Sequence, residues 1–534
     1  MTHSPFTIHP SLYALLSGLL LFAAWPVLPF TLLIFVAWLP LLFLEEKIKR
    51  KRTFFGLTYI TMLVWNVATT WWIWNASIPG ALAAFLANSF LMCFPWMGYK
   101  IIKKKWGQHI GLAALIAFWM CFEFIHLQDW GLSWPWLTLG NAFATHPEWV
   151  QWYEYTGTSG GSLWILLVNA LLFIYIKKQL QEGTRSWQLL SGTVAALFIP
   201  IGLSLLIGNM RVVKKGNEAT PNIVVVQPNI DPYVKVSTGT FESQLMTLIS
   251  TTEKAIDNNT ALVVWPETAL YMDNGGINED ELAKKNNFLL NPLYGFLQRH
   301  SQVSLFTGVE SYREVSGPTK YAKEFSGHFF ESYNGSALLD SNGASAFYHK
   351  SMLVPGVETL PWFLGFIDKW FEKFGGTTAG YAKQKERTVL NEKNGYKIAP
   401  SICYESVYGD FMRKYVKNGA NLICIITNDG WWKKTPGHKQ HMNYARLRAI
   451  ETRTWVARSA NTGISCFIDP YGKVYNARPY NTNAAIKMEI PVLASSRTFY
   501  ARHGDWLSVL MAAASIIFVL SFLGVRMAAR FSKS

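Results

Sequence analysis

The chain is 534 residues long, with half of its residues apolar and 16% charged, too long for one ordinary domain and too uneven in charge for a wholly soluble protein. The formal net charge of +15 would suit nucleic acid if it lay on a soluble face, but the basic residues gather at the ends of apolar runs, which points to a lipid bilayer and no nucleic acid. The five cysteines (Cys93, Cys121, Cys403, Cys424, Cys466) are odd in number and lack metal-ligand spacing, which argues against a disulfide framework; no metal and no cofactor are expected.

Residues 12–44 are almost wholly apolar but contain Pro26 and Pro29, so two short membrane spans joined by a tight turn are predicted. Further spans are predicted at about 56–75, 80–98, 109–127, 162–176, 189–207 and 505–525, each near the roughly 20 residues that cross hydrocarbon, for a total of about eight. Basic runs follow every second span ("EEKIKRKR" at 45–52, "YKIIKKKW" at 99–106, "IKKQLQ" at 176–181, "RMAARFSKS" at 526–534). They share one side, which the positive-inside rule makes cytoplasmic, so both termini are expected there and the long segment 210–503 outside. The stretch "MTHSPFTIHP" has no lysine or arginine and is read as the start of an uncleaved anchor. Glu123, near the outer end of a span, is left without a role, and the tryptophans at 130–153 read as an interfacial belt.

The domains expected are therefore a transmembrane part at 1–209, an external part at 210–503, and a last span with a basic tail at 504–534. The external part consists of short β-branched runs, such as "PNIVVVQPNI" (221–230), "TALVVWPETAL" (260–270), "APSICYES" (399–406) and "ANLICIITND" (420–429), alternating with helix-like stretches such as 241–256 and 441–459. That alternation predicts an α/β domain, and the hairpin-like pair 334–339 with 345–349 predicts that its sheets are not wholly parallel.

Three ionisable residues stand at strand ends, where α/β enzymes keep their working groups. Glu267 in "VVWPET" is either a poorly solvated general base or a first-turn carboxylate facing water. Lys350 in "FYHKSMLVP" is either an exposed strand-end charge or a buried cation placed to stabilise an anion. Cys403 in "SICYES" is either a small core residue, as Cys424 and Cys466 look to be, or a thiol kept for nucleophilic chemistry beside Tyr404 and Glu405.

"WPET", then "YHKSMLVP" 83 residues on and "ICYES" a further 53 on, resemble the Glu-Lys-Cys signature of the carbon–nitrogen hydrolase (nitrilase) superfamily. "TNDGWW" (427–432), "QHMNYARLRAIET" (440–452) and "RSANTGISCFIDPYG" (458–472) extend the likeness in order. With the membrane spans around it, and with "LSWPWLTLGNAFATHPEWVQWYEYTGTSGGSLWILLVN" (132–169) before it, the chain resembles the bacterial apolipoprotein N-acyltransferases. The resemblance implies an αββα sandwich on a polytopic helical platform in the inner membrane, with the catalytic domain on the periplasmic side. It implies transfer of an acyl chain from a phospholipid such as phosphatidylethanolamine to the N-terminal amine of a diacylglyceryl-cysteine apolipoprotein, through a thioester.

Residue by residue, the resemblance implies Cys403 as nucleophile, Glu267 as base and Lys350 as oxyanion partner, with Glu358, Tyr404, Glu405 and Trp431 around the acyl site. The family's Pro-Phe-Gly-Glu reads here as "PGVE" (355–358), and Val236 stands near a position where relatives carry tryptophan. The aromatic stretch "TLPWFLGFIDKWFEKFGGTTAG" (359–380) suits either a core-packing amphipathic helix or a mobile arm dipping into lipid. A membrane-anchored amidase acting on a small amide is the alternative activity; a tether needs one span, not eight.

Overall fold

Strands buried on both faces need continuous runs of β-branched and aliphatic side chains, and such runs build two sheets in the computed structural model of the chain, which describes residues 9–183, 185–210, 220–233, 240–272, 276–359, 380–495 and 497–531. Residues 360–379 of the aromatic stretch, and Val236, lie outside the described residues. The described chain divides into two units: residues 1–71, 80–208 and 503–534 in one, and residues 72–79 and 209–502 in the other.

Among the described residues, five helices that lie almost wholly in the first unit are long and apolar enough to cross a membrane: Ile78–Trp106, Gln108–His126, Thr158–Glu182, Trp187–Asn209 and Trp506–Phe531. Lys51–Thr70 is as long but less apolar, and the region 12–44 folds as a short helix, Pro10–Ala23, a 3-10 turn, Thr31–Phe35, and a second short helix, Leu39–Lys47. The break between the two short helices leaves backbone groups that an apolar setting would punish, and Asn169 answers two of them. Its Oδ1 accepts from the Trp38 N–H (3.0 Å) and its Nδ2 donates to the Ile34 carbonyl (2.9 Å). Glu123 is likewise tied, accepting from Trp119 Nε1 at 2.9 Å and the Leu139 N–H at 2.8 Å, so it pins the loop beyond its own helix. Trp136, read as part of an interfacial belt, is 1% exposed and stacks on Trp134 instead.

Among its described residues the second unit carries fourteen strands: β1 (Asn222–Gln227), β2 (Thr260–Val264), β3 (Ile277–Asn278), β4 (Ser304–Val315), β5 (Lys323–Phe325), β6 (His328–Asp340), β7 (Gly343–His349), β8 (Leu390–Asn391), β9 (Lys397–Ile402), β10 (Leu422–Thr427), β11 (Trp455–Ala460), β12 (Cys466–Ile468), β13 (Val474–Tyr475) and β14 (Ala484–Glu489). One sheet runs β14-β1-β2-β4-β6-β5, with β3 on β4 and β7 on β6; the other runs β13-β12-β11-β10-β9-β8. Each has a parallel centre (β1-β2-β4 and β9-β10-β11) and antiparallel flanks, including the predicted β6–β7 hairpin. The sheets are linked where Ser459 Oγ on β11 donates to the Val226 carbonyl on β1 (2.7 Å). Helices Phe241–Glu253 and Asn291–Arg299 pack Leu245, Leu248, Leu293 and Phe296 onto the first sheet, and Gly409–Lys417 and Pro436–Thr452 accompany the second, giving the αββα sandwich of the nitrilase fold. In both sheets the parallel strands point their C-terminal ends toward one set of turns, and the site is built there.

Candidate active site

Glu267 stands three residues past the end of β2, on a segment that stays paired with β4: Trp265 N–H donates to the Phe306 carbonyl (2.9 Å) and Gly308 N–H to the Pro266 carbonyl (3.1 Å). The approach is so close that a Cβ on Gly308 would lie 2.5 Å from Pro266 O and 2.7 Å from Glu267 Cα, so only glycine fits opposite Glu267. The carboxylate is buried: Oε1 accepts from Asn334 Nδ2 (3.0 Å) and Lys350 Nζ (3.2 Å), and Oε2 from the Asn428 N–H (3.1 Å).

Lys350 follows β7 directly and is 1% exposed. Its ammonium donates to Glu358 Oε1 at 2.8 Å as well as to Glu267. Burial alone would lower its pKa, but the charges of Glu267 and Glu358, with Cys403 adding to them, raise it well above the ordinary lysine value. The cation is thus retained in a place with almost no water. The "PGVE" turn bends through Gly356 at φ +77° and closes with Val354 N–H donating to Glu358 Oε2 (2.8 Å), which brings Glu358 onto Lys350 despite its departure from the family's wording. Asn334 Nδ2 spans the two carboxylates, 3.0 Å from Glu267 and 2.9 Å from Glu358.

Cys403 sits where β9 gives way to a 3-10 turn, Cys403–Val407, with φ +54°. A non-glycine residue in that region costs about 1–2 kcal/mol, so the surroundings must hold it. Glu405 is the main tie: Oε2 accepts from the Ile402 N–H (2.8 Å), and Oε1 from the Ser351 N–H (2.7 Å), the Met352 N–H (3.1 Å) and Tyr348 OH (2.7 Å). One buried carboxylate therefore fastens the turn of Cys403 to the residues right after Lys350. Burial pushes the Cys403 thiol above its ordinary pKa, the charge of Glu267 adds to this, and Lys350 opposes it. These surroundings favour the thiol over the thiolate, so nucleophilic chemistry at Cys403 calls for a base beside it.

Behind the turn lies a buried polar group of three residues that were not singled out one by one in the sequence. His441 Nε2 is 3.1 Å from the Cys403 carbonyl oxygen and its Nδ1 is 3.0 Å from Asp429 Oδ1, while Arg458 Nη2 donates to Asp429 Oδ2 at 2.9 Å. All three are buried. Burial alone would raise the Asp429 carboxyl, yet the Arg458 guanidinium and His441 hold it well below the ordinary 3.8. A carboxyl depressed in the folded state contributes stability that is complete above its unfolded pKa and lost as pH falls from there toward the folded one. Asp429→Asn is expected to lower the melting temperature at neutral pH, since it leaves Arg458 buried without its anion at a cost of about 3–5 kcal/mol, and to flatten the acid side of the melting profile below about pH 5. Thermal melts of the two proteins across that range check both effects.

Of the residues singled out from the sequence, Glu267, Lys350 and Glu358 are joined by ion pairs, and Cys403 lies within the field of the first two. Glu405 is spent on the backbone ties above. Tyr404 is buried, edge-on to Tyr408 at 5.2 Å, and Trp431 is 42% exposed on the turn after Asn428, edge-on to Tyr233 at 5.5 Å. Asn334, Asp429, His441 and Arg458 were not singled out; a polar amide within the buried run of β6 and an arginine within the buried run of β11 are the only signs they leave.

Comparison with known proteins gives two family matches: residues 222–496 to the carbon–nitrogen hydrolases and residues 17–171 to the apolipoprotein N-acyltransferase N-terminal domain. An apolipoprotein N-acyltransferase of Chlorobaculum tepidum is 31% identical over 523 residues, covering 93% of each chain. That of Rickettsia prowazekii is 29% identical, covering 85% of this chain and 83% of that protein. Among solved structures, an amidase from Nesterenkonia sp. matches at 14% identity over 56% of this chain and 97% of its own, with a TM-score of 0.37.

Proposed function

From the premise that the chain belongs to the apolipoprotein N-acyltransferase family, we propose that it moves an acyl chain from a membrane phospholipid to the N-terminal α-amine of a diacylglyceryl-cysteine apolipoprotein, by a ping-pong route through a thioester on Cys403. The observation that carries the mechanism is the buried ammonium of Lys350 shared between Glu267 (3.2 Å) and Glu358 (2.8 Å), with Cys403 on a strained turn tied to the residues after Lys350.

In the first half-reaction Glu267 takes the thiol proton as the sulfur attacks the ester carbonyl carbon. The tetrahedral oxyanion develops beside the Lys350 ammonium, which is charged and fixed before the reaction begins. As the oxyanion collapses, the carbon–oxygen bond breaks, and the lysophospholipid leaves with the proton that Glu267 returns. In the second, Glu267 takes a proton from the incoming ammonium and releases it to solvent, the amine nitrogen attacks the thioester carbonyl, and as the carbon–sulfur bond breaks Glu267 passes the second nitrogen proton to the sulfur, leaving the amide and the regenerated thiol. An amine attacks a thioester readily, so the transfer needs no nucleotide. Asn334 and Lys350 each donate to both Glu267 and Glu358, and Glu405 ties the turn of Cys403 to the residues after Lys350. The acyl donor of choice under this reading is phosphatidylethanolamine, and Tyr404 and Trp431 border the acyl site.

The apolar helices fit a protein of the bacterial inner membrane. Lysines close the helix Cys93–Trp106, and Lys177 and Lys178 stand near the end of Thr158–Glu182; on the positive-inside rule these ends, with both termini, are cytoplasmic, and the second unit is periplasmic.

The test is product analysis. Purified protein given phospholipid labelled in its acyl chain and a diacylglyceryl-cysteine peptide is expected to yield labelled triacylated peptide, and Glu267→Gln to slow this by about a hundredfold or more while leaving the fold intact. Release of free fatty acid without peptide acylation would overturn the transferase reading.

A further inference from the structure

Residues 72–79 ("WIWNASIP") make contacts that the reaction above does not use. In the chain they follow the helix Lys51–Thr70, yet they cluster with the second unit. The Trp72 ring lies 4.6 Å from that of Trp432, and its Nε1 donates to Gln440 Oε1 at 3.3 Å. A Cβ on Gly437 would come within 2.6 Å of the Trp72 ring, so helix Pro436–Thr452 needs a glycine at its second position for the indole to lie there. Asn75 Nδ2 donates to the Trp432 carbonyl (3.4 Å), and the Tyr233 hydroxyl lies 2.8 Å from the Asn75 carbonyl and 2.7 Å from that of Trp431. Ser77 then reaches a different turn: its hydroxyl donates to the Gly356 carbonyl at 3.2 Å.

Both turns reach the buried ion pair. One begins at Asn428, whose N–H donates to Glu267; the other carries Glu358, which accepts from Lys350. Their backbones are far apart in sequence: the first is tied into the sheet through Asn428 and Asp429, whereas the second closes largely on itself, with Gly356 N–H donating to the Thr359 carbonyl (2.9 Å) and Val354 N–H to Glu358 Oε2 (2.8 Å). We propose that residues 72–79 form a strap that fixes the spacing of these turns, with Ser77 as a positioning residue whose bond to Gly356 sets where Glu358 holds the Lys350 ammonium. The inference rests on the role given above to Lys350. Loss of the Ser77 hydroxyl frees the Gly356 turn, lets Glu358 and with it the ammonium drift, and weakens the charge that favours both thiolate and oxyanion at Cys403. A displacement of about 1 Å in such a group costs up to about a hundredfold in rate.

The test uses the full-length protein in phosphatidylethanolamine-containing micelles, as wild type, Ser77→Ala and Ser77→Thr. Two rates are read: acyl-adduct formation on Cys403 against lipid concentration, and alkylation of Cys403 by iodoacetamide against pH, followed by peptide mass spectrometry. Ser77→Ala is expected to slow adduct formation at saturating lipid by about 10-fold to 100-fold without changing the half-saturating concentration, and to move the alkylation profile to higher pH. Ser77→Thr, which keeps the hydroxyl, restores both. Wild-type behaviour of Ser77→Ala, or equal loss in both variants, overturns the strap. If wild type takes no acyl chain on Cys403, the transferase reading falls, and the alkylation profiles still decide the strap: an unshifted profile in Ser77→Ala refutes it.

Discussion

Cys403→Ala is expected to abolish acyl transfer, lowering the rate on the order of 10⁴-fold or more, while leaving the fold and the melting temperature nearly unchanged. The size of the effect follows from the chemistry: with no sulfur there is no thioester, and the remaining groups can only orient an ester and an amine that are poor partners for direct reaction. The small structural effect follows from the site. The backbone of the turn is held from outside the side chain, by Glu405 on Ile402 N–H, by Ser406 Oγ on the Cys403 carbonyl (2.8 Å) and by His441 on the same oxygen. Removing one sulfur leaves those ties in place. Radiolabelled transfer assays beside thermal melts separate the two readouts, and a variant that lost activity only by unfolding would contradict the assignment.

Lys350→Met is expected to differ by damaging both activity and stability. Glu267 and Glu358 share one ammonium, and the amide of Asn334 is their other common donor. A methionine of similar length leaves two buried carboxylates side by side without a cation, and breaking such a pair costs about 3–5 kcal/mol. Catalysis loses the charge that meets the oxyanion, worth about a hundred- to a thousandfold in rate. Lys350→Met with Glu358→Gln removes one of the stranded charges, so the double variant is expected to recover stability without recovering rate. Denaturation midpoints and single-turnover rates for the single and double variants form the check.

Sequence alone reaches the three strand-end residues because each sits where an apolar run stops, and a titratable side chain at such a point has few bland explanations once three of them occur in order. The alternation of strands and helices reaches the α/β sandwich for the same local reason. What escapes it is long-range. Asp429, His441 and Arg458 meet only because β10, β11 and helix Pro436–Thr452 converge, and nothing in "TNDGWW" or "WVARSA" says which buried charge will answer which. Glu405 looks like a site-lining carboxylate because it adjoins Cys403; only the fold reveals that both oxygens are occupied by backbone N–H groups and Tyr348. The stretch 72–79 is harder still. It falls across the end of the span predicted at about 56–75 and the gap before the next, and its grouping with the second unit depends on Trp72, Asn75 and Ser77 finding partners hundreds of residues away. The apolar region 12–44 was legible as broken at its prolines, whereas the amide of Asn169 that supports the break lies in a different helix.

Intact-protein mass spectrometry after brief exposure to a phospholipid of one defined acyl composition tests the central claim most directly. Wild type is expected to gain the mass of one acyl chain, mapped to Cys403 and discharged on addition of a diacylglyceryl-cysteine peptide; the adduct is absent in Cys403→Ser and slow to form in Glu267→Gln. An adduct on another residue, or peptide acylation that proceeds in Cys403→Ser, would contradict a thioester route through Cys403.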